Sequence, residues 1–397
     1  MSLLRETGWH LGARGVSALA SSSVFALLAR LNTPADAKAV FFFMFASGFV
    51  VAFLRSFCMF AAALQGPQRR TERLRRVQAL ARRYALLLPL FAALSAAALS
   101  SQALPPLWIA LSTLIILSAG FDADLLRATL GRGSLFSPAF AVGSVAALGV
   151  LTLGQAGTTT GALAVLCPWI ALTVVNAPLA WRLLRRRPRL ASCGQPDRAR
   201  HWPAALLTAL YDGMVLNLPF MAGAALGASA SFDLAVAARL FSSAQPFFPL
   251  VMHWAGSGRL TEMACRAGLA EPVLYGGLLA LSGLLASVIF TLLFGWIGQQ
   301  PVQAAQYGMF VLLLLAYALF SAAARFTASG LPPERRTRLV GMLLMLYLAA
   351  WFGGGAWLAG SALAIVALQA SALSALAIGT VLLARATDRT ATPRTGL

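Results

Sequence analysis

Four ionisable side chains lie inside long apolar stretches of the sequence: Arg14, Arg55, Asp212 and Arg239. A charged group at the centre of a membrane-spanning helix costs about 2.5–3.5 kcal/mol on insertion scales, so such residues are usually functional. Arginine keeps its charge, and its planar fork matches the oxygens of a phosphate group. The three arginines therefore predict a cationic cavity that suits a phosphate-bearing ligand.

Polar residues accompany two of these charges. Arg239 shares a helical face with Ser242, three residues later, and Asp212 is followed by Asn217 and Pro219. A proline inside a helix frees a backbone carbonyl and bends the helix, which is tolerated where the helix lines a cavity. The predicted substrate-binding residues are Arg14, Arg55, Arg239 and Ser242, and the predicted coupling or counter-ion residues are Asp212 and Asn217.

The same charged residues also have a purely structural interpretation. Arg14 and Arg55 lie within about two helical turns of one membrane face, where arginine side chains can extend to the headgroups. Any of the three arginines could instead pair with Asp212 and neutralise its charge. The sequence leaves both interpretations open.

No other arrangement of residues indicates catalysis or a cofactor. The four cysteines show no paired spacing, and the three histidines are dispersed. The sequence contains no phosphate-binding loop, dinucleotide fingerprint or Ser/His/Asp set. We therefore expect no enzyme activity, no cofactor, no metal and no hydrolysis of ATP by the chain itself.

The composition indicates that a membrane surrounds the elements that carry these charges. Of the 397 residues, 59% are hydrophobic and 11% are charged. A soluble domain has roughly 25% charged residues. The net charge of +19 comes from arginines between apolar runs, so no basic face for nucleic acid is expected.

Apolar stretches of about 20 residues predict transmembrane helices, and about twelve such stretches occur. The loop from Arg182 to His201 separates the first six from the last six. We predict an all-α polytopic membrane protein with an N-terminal six-helix lobe (1-190) and a C-terminal six-helix lobe (191-397) around a central cavity. The predicted spans lie near 9–30, 39–62, 84–104, 107–126, 135–154, 161–182, 203–226, 232–254, 273–297, 306–325, 339–357 and 361–384.

The connections between the predicted helices alternate in charge. Arginine-rich loops follow every second helix, whereas the intervening loops are short and nearly uncharged. Arginine-rich short loops stay in the cytoplasm. The alternation therefore predicts a multi-pass protein of the bacterial inner membrane with both termini in the cytoplasm.

Two predicted helical hairpins resemble those of a known transporter family. They are Phe25–Leu31 with Ala39–Phe43, and Ala230–Leu240 followed by Pro249. They resemble the first and seventh hairpins of Wzx-type polysaccharide flippases in the MOP superfamily, which also contains MATE exporters and lipid II flippases. The resemblance implies a V-shaped transporter that moves undecaprenyl-diphosphate-linked oligosaccharide across the inner membrane by alternating access, for surface polysaccharide assembly.

The resemblance also has implications for individual residues and partners. Lipid II flippases have cavity arginines in helices 1, 2 and 8, which Arg14, Arg55 and Arg239 match by helix. They hold sodium with carboxylates in helices 7 and 11; Asp212 lies in helix 7, but helix 11 has no carboxylate, which favours protons or the membrane potential as the driving force. A monomer is expected, with the lipid-linked glycan, membrane lipids and a polysaccharide polymerase as partners.

Three other classes of membrane protein compete with this interpretation. A major-facilitator transporter would have a glycine–aspartate–arginine–glycine signature between helices 2 and 3, but Gly66–Arg73 lacks the aspartate and the second glycine. A MATE-type drug exporter would favour acidic cavity residues for cationic drugs. A membrane-embedded glycosyltransferase or polymerase usually needs a large outer loop, and the outer loops here are short.

Overall fold

The computed structural model describes residues 3–31, 40–41, 43–44, 89–90, 92–93, 96, 106–120, 136–154, 157–185, 228–244, 248, 251, 259–328, 341–342 and 361–391. The regular secondary structure within these ranges is α-helical. The expectation of an all-α chain therefore holds for the part of the protein that the structure describes.

The structure gives the bounds of nine helices within the described residues. Eight of them overlap predicted spans, with ends that differ by one to ten residues, whereas the short helix α6 lies in a connection that was predicted to be a loop. The predicted spans near 39–62, 84–104, 203–226 and 339–357 lie largely outside the described residues, so the count of about twelve stays a prediction. The helices are α1 (Leu3–Leu31), α2 (Pro106–Gly120), α3 (Phe136–Leu153), α4 (Thr158–Arg185), α5 (Ala228–Ala244), α6 (Arg259–Ala267), α7 (Glu271–Gly298), α8 (Ala304–Ala328) and α9 (Ala362–Ala391).

Four of the described helices are long and apolar enough to cross a membrane, namely Gly12–Leu31, Glu271–Gly298, Ala304–Ala323 and Ala362–Leu382. Each has at least 20 residues, which is the length needed for a hydrocarbon core about 30 Å thick. On α7, Leu285 and Leu292 are 60% and 68% exposed. Leucines that project from the protein in this way are solvated by lipid chains at no cost, whereas water would penalise them.

The chain divides into two compact units. Unit 1 comprises Met1–Phe220 and Leu293–Gln300, and unit 2 comprises Met221–Leu292 and Pro301–Leu397. The predicted lobe boundary at residues 190 and 191 lies outside the described residues, so that boundary stays a prediction.

Aromatic stacking and an interhelical hydrogen bond hold unit 1 together. Phe25 of α1 stacks on Phe41 with ring centroids 4.3 Å apart, and Phe294 lies 6.0 Å from Phe25. The hydroxyl of Thr173 in α4 shares its single proton between the carbonyl of Trp169 in the same helix, at 2.9 Å, and the carbonyl of Ile115 in α2, at 3.2 Å. Between membrane helices, van der Waals packing and such bonds replace the hydrophobic driving force that operates in water.

A glycine in α3 allows the backbone of α4 to approach closely. A Cβ atom on Gly143 would lie 2.4 Å from the Cα of Pro168 and 2.7 Å from the carbonyl oxygen of Cys167. Both contacts are with backbone atoms, which cannot rotate away as a side chain can. Small residues at such crossings are the usual means by which membrane helices pack together.

Helix α8 links the described helices of unit 2, because it contacts both α5 and α9. Tyr317 of α8 contacts Phe241 of α5 edge to face at 5.3 Å and stacks on Phe248 at 5.2 Å. The hydroxyls of Ser287 in α7 and Tyr307 in α8 are 2.8 Å apart. This packing fixes the helix that carries Arg239.

Candidate functional site

Helix α5 is buried along most of its length, and two polar side chains on it are partly exposed. From Leu234 to Ala244 every residue is buried except Arg239 and Ser242, which are half-buried. These two residues are three positions apart, so they lie on the same side of the helix. A guanidinium and a hydroxyl therefore lie together on one side of an otherwise buried stretch of α5.

The side chain of Arg239 is oriented by its own helix. Its Nη1 atom lies 3.4 Å from the Oγ atom of Ser242, and that hydroxyl donates to the backbone carbonyl of Arg239 at 3.1 Å. The neighbouring Ser243 is buried, and its hydroxyl donates to the carbonyl of Leu240 at 2.6 Å. Ser243 is therefore not part of the half-buried pair formed by Arg239 and Ser242. A guanidinium with five donors in a fixed fork can bind two phosphate oxygens at once.

Arg14 lies on a part of α1 that is less buried than the part that follows it. None of the residues from Gly12 to Leu19 is buried, although most of those from Ala20 to Ala29 are. Arg14 itself is half-buried. A helix that is accessible over two turns borders either headgroups or a cavity, and an arginine is compatible with both.

A polar contact that the sequence analysis did not identify joins α5 to α8. The Nε2 atom of Gln306 donates to Oδ1 of Asp233 at 2.7 Å, and the backbone N–H of Gln303 donates to Oε1 of Gln306 at 2.9 Å. Gln306 is 1% exposed, whereas Asp233 is half-buried. The contact between Gln306 and Gln303 is half of a capping box, so the three-residue spacing of these glutamines is the signal that could have revealed it.

The remaining predicted site residues, Arg55, Asp212 and Asn217, lie outside the described residues. Among the residues that the structure does describe, Arg239 and Ser242 are brought together, and Arg14 belongs to unit 1. Within the same described ranges, no group of three or more His, Cys, Asp or Glu is placed to hold a metal ion.

Comparison with known proteins gives one informative likeness. No protein-family model and no curated protein matches the sequence. A solved structure described as the inward-facing conformation of a multidrug resistance MATE family transporter of the MOP superfamily is similar in fold, with a TM-score of 0.50 and 12% sequence identity. The likeness covers 96% of each chain.

The likeness shows the fold alone, because a sequence identity of 12% is too low to indicate a shared substrate. It covers nearly the whole chain, and it agrees with the apolar helices that are long enough to cross a bilayer. The chain is a multi-pass membrane protein with the fold of a MATE family transporter of the MOP superfamily.

Proposed function

We propose that the chain is a flippase that moves undecaprenyl-diphosphate-linked oligosaccharide across the bacterial inner membrane by alternating access. The half-buried pair of Arg239 and Ser242, on one side of the otherwise buried helix α5, is the observation that carries this proposal. An arginine fork suits a diphosphate, because two N–H donors can bind two oxygens of the same group. The lipid chain of such a substrate can stay in the bilayer while its polar head passes the site.

The fold and the hairpin resemblance support the same proposal from different directions. The MOP fold is the fold of a membrane transporter. The resemblance of two hairpins to those of Wzx-type flippases supports a lipid-linked glycan as the substrate class. Arg14 and Arg55 are further proposed substrate-binding residues, because they match the cavity arginines of lipid II flippases by helix, and no enzyme activity or cofactor is required.

Replacement of Arg239 tests the proposal. Arg239→Ala should abolish surface polysaccharide while the amount of protein in the membrane stays normal. Arg239→Lys should restore part of the output, because an ammonium keeps the charge but loses the planar fork. Arg30→Ala is the matched control, because Arg30 is an exposed arginine in the last turn of α1, and it should leave polymer output unchanged. Normal output from Arg239→Ala would contradict the proposed site.

A MATE-type exporter of cationic compounds is the second candidate function. The half-buried carboxylate of Asp233, hydrogen-bonded to a neutral amide, is the observation that favours it. Under this alternative Asp233→Asn should increase sensitivity to cationic dyes, and Arg239→Ala should leave sensitivity and polymer output unchanged. Measuring dye resistance and surface polysaccharide in both strains separates the two functions.

We propose that Asp212, with Asn217 as a polar neighbour, either couples transport to a cation or balances a cavity arginine. As a coupling group, Asp212→Asn should still bind lipid-linked substrate but lose the dependence of flipping on the ion gradient. As a counter-ion, the same change should weaken folding or substrate binding, and neutralising the paired arginine as well should restore stability. Flipping in proteoliposomes at the wild-type rate and with wild-type ion dependence would eliminate both roles.

A further inference from the structure

Helix α6 is joined to the transmembrane helix α7 by a well-defined corner. Gly268, with a φ of 64°, follows α6, and its N–H donates to the carbonyl of Cys265 at 3.3 Å. The N–H of Leu269 donates to the carbonyl of Ala264 at 3.0 Å, which completes a Schellman motif. The carbonyl of Ala270 then accepts the first hydrogen bonds of α7. This corner fixes the direction of α6 relative to the start of α7.

The two faces of α6 differ in burial and in polarity. Leu260 and Ala264, one turn apart, are 0% and 3% exposed. Glu262, Cys265 and Arg266 are exposed on the other side. A nine-residue helix is too short to be stable by itself in water, so its amphipathic surface must be stabilised by its surroundings.

Exposed apolar side chains lie beside the polar face of α6 and continue into α7. Met263 and Leu269 are 41% and 48% exposed, and Val273, in the first turn of α7, is 62% exposed. Further along α7, Leu281 and Leu285 are also more than half exposed, in a helix long enough to cross the bilayer. Exposed apolar side chains are therefore present on α6, at the corner that follows it and along α7.

We propose that α6 lies in the membrane interface and binds anionic phospholipid headgroups through Arg266, with Met263 and Leu269 at the boundary with the acyl chains. Amphipathic helices with basic residues on the polar face lie in this region of a bilayer. Helix α6 itself begins with a second arginine, Arg259. The connection that contains α6 is one of the arginine-rich loops. Because the corner at Gly268 is hydrogen-bonded, lipid bound to α6 holds the start of α7 at a fixed depth.

Spin labels on single-cysteine variants of the full-length protein in nanodiscs test the depth of α6. Labels in Met263→Cys and Leu269→Cys should collide more with oxygen, which partitions into lipid, than with a nickel chelate dissolved in water. A label on the native Cys265 should show the opposite preference, because this side chain is on the polar face. Strong nickel access at all three positions would place α6 in water and overturn the proposal.

Hydrogen exchange of the α6 amides tests the headgroup contact. Replacing a quarter of the phosphatidylcholine in the nanodisc by phosphatidylglycerol should slow this exchange about fivefold, which is the effect of one arginine near an anionic surface. Arg266→Gln should remove the slowing, whereas Glu262→Gln, an exposed charge of opposite sign on the same helix, should keep or increase it. In phosphatidylcholine alone both variants should exchange like the wild type, which shows that α6 remains folded. No slowing in the wild type, or undiminished slowing in Arg266→Gln, would overturn the proposal.

Discussion

At the scale of single residues, glycine and arginine occupy special positions in these helices for opposite reasons. Gly143 is required because the backbone of α4 leaves no room for a Cβ atom at Pro168. Arg239 is half-buried, although its neighbours Ala238 and Leu240 are fully buried, and its Nη1 atom has the hydroxyl of Ser242 within 3.4 Å. A polar partner within the protein lowers the cost of placing a charge in a membrane helix.

We predict that Gly143→Ala destabilises the protein by about 1–3 kcal/mol, which is typical of overpacking. The added methyl group would meet backbone atoms of Cys167 and Pro168, so relief requires α3 and α4 to move apart. Gly149→Ala in the same helix is the matched control, because a Cβ there has no heavy atom within 4 Å. Thermal unfolding in detergent should show a lower midpoint for the first variant alone; equal midpoints would contradict the close contact.

The sequence predicted part of the candidate site and missed the rest for identifiable reasons. The three-residue spacing of Arg239 and Ser242 was sufficient to predict that they share a helical face, and the structure places them together. The next hydroxyl along the helix, that of Ser243, is buried by the packing of α5. Asp233 was missed because its importance depends on Gln306, 73 positions later in the chain. Helical periodicity carries no information about such a contact.

At the scale of helices, polar contacts between neighbours determine how α5 is held. Gln306 uses its amide oxygen to cap the start of α8 and its amide nitrogen to bind Asp233 of α5. Because the oxygen is occupied by the N–H of Gln303, the nitrogen is directed towards α5. The side chain of Gln306 therefore links the N-terminus of α8 to α5, the helix that carries the candidate site.

We predict that Gln306→Leu lowers the free energy of unfolding by about 1.5–3 kcal/mol, the usual range for a hydrogen bond to a charged group. A loss of stability at the lower end of this range is expected, because Asp233 is only half-buried and water can replace part of the lost hydrogen bond. Gln303→Leu is the matched control, since this exposed residue contributes its backbone N–H to the network, and it should change stability by less than about 0.5 kcal/mol. Chemical unfolding in detergent measures both values.

Introducing a second negative charge beside Asp233 tests the same contact independently. Gln306→Glu places a second carboxylate beside Asp233, so it should destabilise the protein by repulsion. Adding Asp233→Asn should recover part of the loss, because an amide can donate to the new carboxylate. Absence of recovery in the double variant would show that Gln306 stabilises α8 by capping alone.

Helix positions were more predictable from sequence than helix α6 was. The long apolar runs of α7 and α8 predicted spans that the structure reproduces to within three residues, whereas α9 extends seven residues beyond its predicted span. Apolar length is a strong signal because a bilayer admits few other structures for such a run. Helix α6 was assigned to a loop, since it has nine residues and charges at Arg259, Glu262 and Arg266. Its formation depends on the burial of Leu260 and Ala264, which only the folded chain reveals.

At the scale of the whole molecule, membrane topology connects the described helices to the predicted spans between them. The connections from α3 to α4 and from α7 to α8 are short and contain no charged residue. If all twelve predicted spans cross the membrane, both of these connections lie outside and the arginine-rich loops lie in the cytoplasm. Each missing crossing before a given loop would move that loop to the opposite side.

We predict that reporter fusions at Gly157 and Gln299 report the outer compartment and that a fusion at Arg185 reports the cytoplasm. The outer position of Gly157 requires the two predicted spans between α1 and α2, near 39–62 and 84–104, either both to cross the membrane or both not to cross it, because a single missing crossing reverses the side. If Arg185 is cytoplasmic and the spans near 232–254 and 273–297 cross, the outer position of Gln299 further requires the span near 203–226, which carries Asp212. Each position is fused in turn to alkaline phosphatase, which is active outside, and to a fluorescent protein, which is active inside. The two signals together show on which side of the membrane the position lies. A cytoplasmic signal at Gln299 with an outer signal at Gly157 would show that the segment near 203–226 does not cross, and would remove Asp212 from the proposed coupling site.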